Sequence, residues 1–182
     1  HILSHFGVRG LVYRPERSSS SINISTRSAP PGVLPPEARL VKLTSGSTGQ
    51  PKGIVASERN LVADFESIAS SMGITADDIN LGAIPFSHSY GFSNLISPLA
   101  LQGTAIVISN DYLPQSIITL CNEHRCTVVP GIPMMFDHLS HVAPGDGEFE
   151  TVRTFISAGA PLPATTSRRF RERFGIPIHS FY

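Results

Sequence analysis

The sequence has few cysteines, no excess of charge of either sign and no long uninterrupted apolar run. Lys plus Arg number 14 and Asp plus Glu number 14, so the formal net charge is zero. Balanced charge argues against the electropositive surface that is typical of proteins binding nucleic acid or anionic membranes. The longest apolar stretch, from Leu95 to Ile108, is interrupted by polar and helix-breaking residues. We therefore expect no membrane span and no nucleic-acid partner.

The small number of cysteines bears on the cellular compartment, and the two chain ends bear on whether the chain is part of a longer protein. Cys121 and Cys126 are too few for a disulfide framework, which favours a reducing cytoplasm. The spacing of Cys121, His124 and Cys126 offers no fourth zinc ligand nearby, so we expect no metal site. The chain opens at His1 without a signal-peptide pattern, and it stops in a strand-like segment at Tyr182. We expect an excised piece of a longer cytoplasmic protein.

The pattern along the chain divides into a lead-in and an ordered part. Residues 1–37 form a loop-rich lead-in with four consecutive serines and two Pro-Pro pairs. From residue 38 to 182, strand and helix patterns alternate with short connections. This alternation predicts an α/β fold with a mostly parallel sheet, in which ligands bind at the carboxyl ends of the strands.

The strongest motif is a loop rich in glycine, serine and threonine between two predicted strands. Glycines let the backbone N–H groups approach an anion, hydroxyls add neutral donors, and a lysine adds one flexible positive charge. The loop is therefore predicted to hold a polyphosphate, and its candidate phosphate-binding residues are Thr44, Ser45, Gly46, Ser47, Thr48, Gly49 and Lys52.

Other phosphate loops fit this motif less well. A Walker A loop needs Gly-Lys followed by Ser or Thr at the start of a helix, whereas Lys52 is followed by Gly53 and then by strand-like residues. The G-x-G-x-x-G spacing of dinucleotide-binding folds is absent. A kinase or GTPase is therefore disfavoured, and the remaining alternative is a hydroxyl-rich hairpin without a ligand.

The loop resembles the T-S-G-[ST]-T-G-x-P-K-G signature of the adenylate-forming superfamily. This superfamily includes acyl-CoA synthetases, adenylation domains of nonribosomal peptide synthetases and luciferases. Four further segments resemble family motifs in the family's order: Asp78 to Gly91, Gly131-Ile132-Pro133, Ser157 to Leu162, and Pro177 to Tyr182. The resemblance covers about Leu34 to Tyr182, and it implies that residues 38–182 are part of an AMP-binding domain.

The resemblance also implies a reaction and residue roles. ATP and a carboxylic acid would form an acyl-adenylate and pyrophosphate, and a thiol would then take the acyl group. The phosphate loop would hold the β- and γ-phosphates. Gly159, Ala160 and Tyr182 would form the adenine site, while His88, Tyr90 and Asn94 would line the acyl pocket. The alternatives are that His88 only caps a strand end and that Tyr90 and Asn94 only pack a helix.

The resemblance implies missing parts as well. The family's Glu that holds Mg²⁺, its ribose-binding Asp and the catalytic Lys of its mobile C-terminal domain would all follow Tyr182. We therefore expect this chain alone to be inactive.

The acid and the thiol acceptor are less closely defined by the sequence. An apolar helix from Tyr90 to Leu101 favours a fatty or aryl acid, although Asp137 lies near the usual position of an amino-group partner. The acceptor is coenzyme A or the pantetheine of a carrier protein, and Asn110-Asp111 gives coenzyme A no basic contact. The alternatives are an adenylation domain of a peptide or polyketide assembly line and a noncatalytic nucleotide-binding module.

Overall fold

A computed structural model describes residues 10–13, 21–26, 28, 34–44 and 52–181. The chain divides into two compact units, His1–Glu58 and Arg59–Tyr182. No helix in the described part of the chain is long and apolar enough to cross a membrane.

The first unit contains two antiparallel hairpins. Strand β1 (Gly10–Tyr13) pairs with β2 (Asn23–Thr26), and β3 (Ala38–Thr44) pairs with β4 (Lys52–Ser57). The strands β3 and β4 were predicted from their apolar residues. Strand β2 lies inside the predicted loop-rich lead-in, and its mostly polar sequence carries no period-two apolar signal.

The second unit is built on a five-stranded parallel sheet. Its order is β6-β5-β7-β8-β9, and every adjacent pair is parallel. This arrangement confirms the predicted α/β fold. The strands are β5 (Ile79–Gly82), β6 (Ala105–Ile108), β7 (Val128–Gly131), β8 (Thr154–Ser157) and β9 (Ile178–Ser180).

Helices precede and connect these strands. Helix α1 (Glu58–Met72) leads into β5, and Gly73 ends it with a φ of +61°, the left-handed conformation that favours glycine. Proline stands at the first position of α3 and of α4, where its missing N–H costs no helical hydrogen bond. The connecting helices are α2 (Ser89–Gly91, a π-helical segment Phe92–Ile96, and Ser97–Gln102), α3 (Pro114–Glu123), α4 (Pro133–Ser140) and α5 (Ala164–Phe174).

Apolar side chains cover both faces of the sheet. Val128 and Val129 point to opposite faces, as successive residues of a strand must. One face packs against α3, α4 and α5, where three fully buried rings meet edge to face at centroid distances of 4.9 to 6.1 Å: Phe136, Phe155 and Phe170. The other face packs against α1 and α2 through Ile68, Ile84, Tyr90, Leu95 and Ile156.

A buried carboxylate organises the amino edge of the sheet. Asp78 is 4% exposed, and its oxygens accept hydrogen bonds from Arg153 Nη2 at 2.6 Å, Thr127 Oγ1 at 2.7 Å and Thr75 N at 2.8 Å. Burial raises the pKa of this carboxyl, but the hydrogen bonds from Arg153, Thr127 and Thr75 outweigh burial and hold the pKa below its ordinary value. Asp78 therefore joins the starts of β5, β7 and β8.

A candidate nucleotide and acyl site at the carboxyl edge

Five candidate residues follow the carboxyl ends of parallel strands. His88, Tyr90 and Asn94 come after β5, and Gly159 and Ala160 come after β8. The chain runs from β5 to one neighbour, β6, and then returns across β5 to β7 on the other side. Open α/β sheets bind ligands at such a reversal of strand order, outside the carboxyl ends.

The turn that follows β5, residues 83–91, holds the imidazole of His88 in a defined orientation. His88 Nδ1 accepts a hydrogen bond from the Tyr90 N–H at 3.2 Å and so caps the start of α2. An accepting Nδ1 requires the neutral ring to carry its proton on Nε2. Gly91 allows this close turn, because a Cβ there would lie 2.1 Å from Pro85 O. The exposed side of the ring therefore offers a donor.

Tyr90 is buried beneath this turn. Its side chain is 7% exposed, and its hydroxyl donates to Ile156 O at 2.8 Å and accepts from Gly131 N at 3.1 Å. Burial raises the pKa of Tyr90 well above its ordinary value, and the Gly131 hydrogen bond offsets this only in part, so the phenol stays protonated. The Tyr90 ring also stacks on Phe181, with centroids 6.3 Å apart and planes 28° apart.

Asn94 lies in the π-helical segment of α2 and faces the sheet. It is 1% exposed, its Nδ2 donates to Tyr90 O at 3.3 Å, and its own carbonyl accepts from Asn80 Nδ2 at 3.4 Å. Among the described residues, the buried Oδ1 atoms of Asn80 and Asn94 have no hydrogen-bond partner. π-Helical turns inside α-helices are frequent at functional sites. These contacts fit the packing alternative for Asn94, and its role in an acyl pocket stays a prediction.

Backbone hydrogen bonds to the two neighbouring strands hold the start of the turn that follows β8, residues 158–160. Ala158 N donates to Gly131 O at 3.2 Å, and Phe181 N donates to Ser157 O at 2.8 Å. Gly159 has a φ of +85°, while a Cβ there would meet only Ile132 at 3.7 Å, so backbone conformation favours glycine more than space does. Gly159 and Ala160 are exposed, which leaves their backbone open to a flat ligand.

The phosphate loop is described only at its base. Thr44 and Lys52 are register partners at the loop end of the β3–β4 hairpin, and the Lys52 side chain is exposed. The other predicted phosphate contacts, Ser45 to Gly49, lie outside the described residues, as does Tyr182. The hairpin places the two ends of the loop side by side, as a short phosphate-binding loop between strands requires.

Three groups at this edge of the sheet were not identified from the sequence. They are the backbones of Gly131 and Ile156, which contact the Tyr90 hydroxyl, and the side chain of Asn80. One feature of the sequence could have identified Asn80: it is an amide in an otherwise apolar strand. Within residues 10–13, 21–26, 28, 34–44 and 52–181, no group of three His, Cys, Asp or Glu side chains could hold a metal ion.

Several known proteins are similar to this chain in sequence and in fold. The sequence model of the AMP-binding enzyme family matches residues 10–182. Feruloyl-CoA synthase of Amycolatopsis sp is 25% identical over 95% of this chain and 39% of its own length. Medium-chain fatty-acid–CoA ligase of Escherichia coli (strain K12) is 26% identical over 80% of this chain and 26% of its own length.

A solved structure shows the same fold. ATP-bound MatB from Rhodopseudomonas palustris superposes with a TM-score of 0.65 at 30% identity, over 77% of this chain and 28% of that protein. The chain thus spans well under half the length of these similar proteins. Because the family model covers nearly all of the sequence, the chain belongs to the AMP-binding enzyme family.

Proposed function

We propose that this chain is the ATP-binding part of an AMP-forming carboxylic acid–thiol ligase. The acid carboxylate attacks the α-phosphorus of ATP, pyrophosphate leaves, and an acyl-adenylate forms. A thiol then displaces AMP and takes the acyl group. The observation that carries the proposal is that parallel strands bring the acyl candidates after β5 and the adenine candidates after β8 to one edge of the sheet.

The nucleotide end of the site has two parts. The exposed Gly159 and Ala160 lie against the adenine, and Tyr182 stacks on its face, a contact that is typically worth about 1–3 kcal/mol. Thr44 to Gly49 and Lys52 hold the β- and γ-phosphates. Their N–H groups and the lysine charge stabilise the negative charge that develops on the departing pyrophosphate.

The acyl end is defined by His88, Tyr90 and Asn94. The cap bond on His88 Nδ1 leaves an Nε2–H donor that suits a carboxylate, whereas Tyr90 and Asn94 form the buried wall behind it. Catalysis here is mainly orientation of the acid relative to the α-phosphorus.

The acid is a fatty or aryl acid without an α-amino group. Asp137, the candidate partner of an amino group, already accepts from Thr166 Oγ1 at 2.9 Å and from Arg169 Nη1 at 3.3 Å. Its charge is thus compensated by α5. The similar proteins carry names of ligases for an aryl acid and for a fatty acid, and both names include coenzyme A. Coenzyme A is therefore the favoured acceptor over a carrier protein.

The chain spans only 39% and 26% of the lengths of the two similar ligases. We therefore expect negligible acyl-adenylate formation by this chain alone, and detectable formation would contradict that expectation. The scarcity of cysteine favours the cytoplasm as the compartment in which the complete protein works.

The test is pyrophosphate exchange by the longest native polypeptide that contains this chain, with a panel of fatty, aryl and amino acids. We expect exchange with one acid class. Lys52→Ala and Thr48→Ala should each reduce exchange about 10- to 100-fold, the value of one strong donor to a charged phosphate. Lys42→Ala, in the same hairpin, is the matched control. ATP binding without exchange by any acid would favour the noncatalytic nucleotide-binding module instead.

A further inference from the structure

The Tyr90 hydroxyl lies beside the last register pair of the parallel strands β7 and β8, Gly131 and Ser157. Gly131 is the register partner of Ser157, so in a parallel ladder the Gly131 N–H points toward the carbonyl of Ile156. The phenol oxygen is within hydrogen-bond distance of both groups, at 3.1 Å and 2.8 Å. Tyr90 is therefore bonded to the two strands immediately before the turn that carries Gly159.

The same residue orients the other turn. Its backbone N–H donates to His88 Nδ1, and its carbonyl accepts from Asn94 Nδ2. The two remaining acyl candidates are thus held by the backbone of Tyr90, while its side chain holds the strand ends next to the adenine candidates. Both turns are therefore bonded to the same residue.

The Tyr90 ring extends these contacts to a third strand. It stacks on Phe181, which directly follows β9, and Phe181 N donates to Ser157 O at 2.8 Å. Phe181 in turn precedes Tyr182, the residue predicted to stack on adenine. The ends of β7, β8 and β9 therefore all contact one buried phenol.

We propose that Tyr90 is a positioning residue that couples the acyl turn after β5 to the nucleotide turn after β8. The inference rests on the proposed function. This coupling predicts that bound acid tightens ATP binding. Because coupling between two binding sites is reciprocal, bound ATP should then tighten acid binding by the same factor. Tyr90 transmits this effect without contacting the reacting atoms.

Tyr90→Phe is the variant that isolates the coupling. It keeps the ring, its burial and its stacking on Phe181, and it removes both hydrogen bonds of the hydroxyl. We expect the ratio of ATP dissociation constants without and with acid to fall about 5- to 10-fold toward unity, the value of two modest hydrogen bonds. A purely structural role would lower thermal stability and kcat but would leave this ratio unchanged.

The experiment measures binding of the unreactive analogue α,β-methylene-ATP to the complete polypeptide, with and without the acid that gives the fastest exchange. Tyr112→Phe is the matched control, since Tyr112 is exposed and no described residue bonds its hydroxyl. An unchanged ratio in an exchange-active Tyr90→Phe protein overturns this inference alone. Absence of exchange in the wild type overturns the proposed function and this inference together.

A second variant keeps the test decisive if Tyr90→Phe does not fold. Phe181→Leu leaves the hydroxyl bonds in place and removes the ring contact to β9. We expect it to reduce the coupling ratio about twofold, less than Tyr90→Phe does, because dispersion contacts with the ring remain in part. A ratio equal to that of the wild type would then overturn the inference.

Discussion

The two edges of the parallel sheet are built in opposite ways. At the amino edge, the buried Asp78 carboxylate has hydrogen-bond partners on several elements, and both of its oxygens are bonded. At the carboxyl edge, Ser157 Oγ is buried without a partner in the described part of the chain, and Gly159 has a positive φ. Buried polar groups that are fully bonded rigidify a fold, whereas unbonded groups and unusual backbone conformations cluster at functional sites. We therefore expect the amino edge to contribute mainly to stability and the carboxyl edge mainly to ligand binding.

Removing the Asp78 carboxylate should have the largest effect on stability. Asp78→Ala leaves Thr127, Thr75 and Arg153 without their shared acceptor, so we expect the free energy of unfolding to fall by about 2–4 kcal/mol. The change should appear as a lower urea midpoint, with KM for ATP unchanged in the remaining folded protein. Asp77→Ala, at the exposed neighbouring position, is the control and should have a midpoint close to that of the wild type.

Low pH should lower the free energy of unfolding by protonating the Asp78 carboxylate. The folded-state pKa of Asp78 lies below its ordinary value of 3.8, so the carboxylate contributes stability that is fully present above that value. This contribution is lost as the pH falls below 3.8 and through the folded pKa. Unfolding measured between pH 6 and pH 2 should show a smaller acid loss in Asp78→Asn than in the wild type. Parallel curves for the two proteins would contradict the assignment.

At the carboxyl edge, Gly159→Ala should impair binding more than folding. A Cβ at a φ of +85° costs about 1–2 kcal/mol and shifts the turn that we propose faces the adenine, so we expect KM for ATP to rise about 3- to 10-fold. Gly103→Ala is a close control, since Gly103 has a φ of +81° at the end of α2 and open space around its Cα. It should cost similar stability without changing KM.

The smallest effect is expected at the unbonded hydroxyl of Ser157. Ser157→Ala removes a buried polar atom without a described partner, so it should leave stability unchanged or raise it by about 0.5–1 kcal/mol. Thr127→Val is the comparison, because Thr127 Oγ1 bonds both Asp78 and Ile79 N, and its loss should be destabilising. A drop in ATP affinity for Ser157→Ala would instead show that this hydroxyl contacts the nucleotide.

Local signals in the sequence predicted much of the fold. Proline stands at the start of α3 and of α4, and a glycine follows the last residue of α1, so these helix ends carry local sequence signals. The family motifs also predicted which residues follow β5 and β8. These features depend on near neighbours in the chain, which is why sequence pattern carries them.

What could not be predicted depends on distant contacts. The π-helical segment Phe92–Ile96 arises where α2 packs on the sheet, and no residue type marks it. The partners of the Tyr90 hydroxyl lie 41 and 66 positions away along the chain. Asn80 carried a polar signal, but only packing shows that it bonds the carbonyl of Asn94.

The sequence separation of the Tyr90 contacts has a consequence for the order of folding. Contacts across 41 and 66 positions close long loops, and their entropic cost falls only after the intervening elements have formed. The Tyr90 hydroxyl can bond both Ile156 O and Gly131 N only when β7 and β8 already lie side by side. The acyl turn is therefore among the last parts of this unit to acquire its final geometry. A nascent or partly unfolded chain, in which those strands are apart, would lack the contacts that hold this turn against β7 and β8.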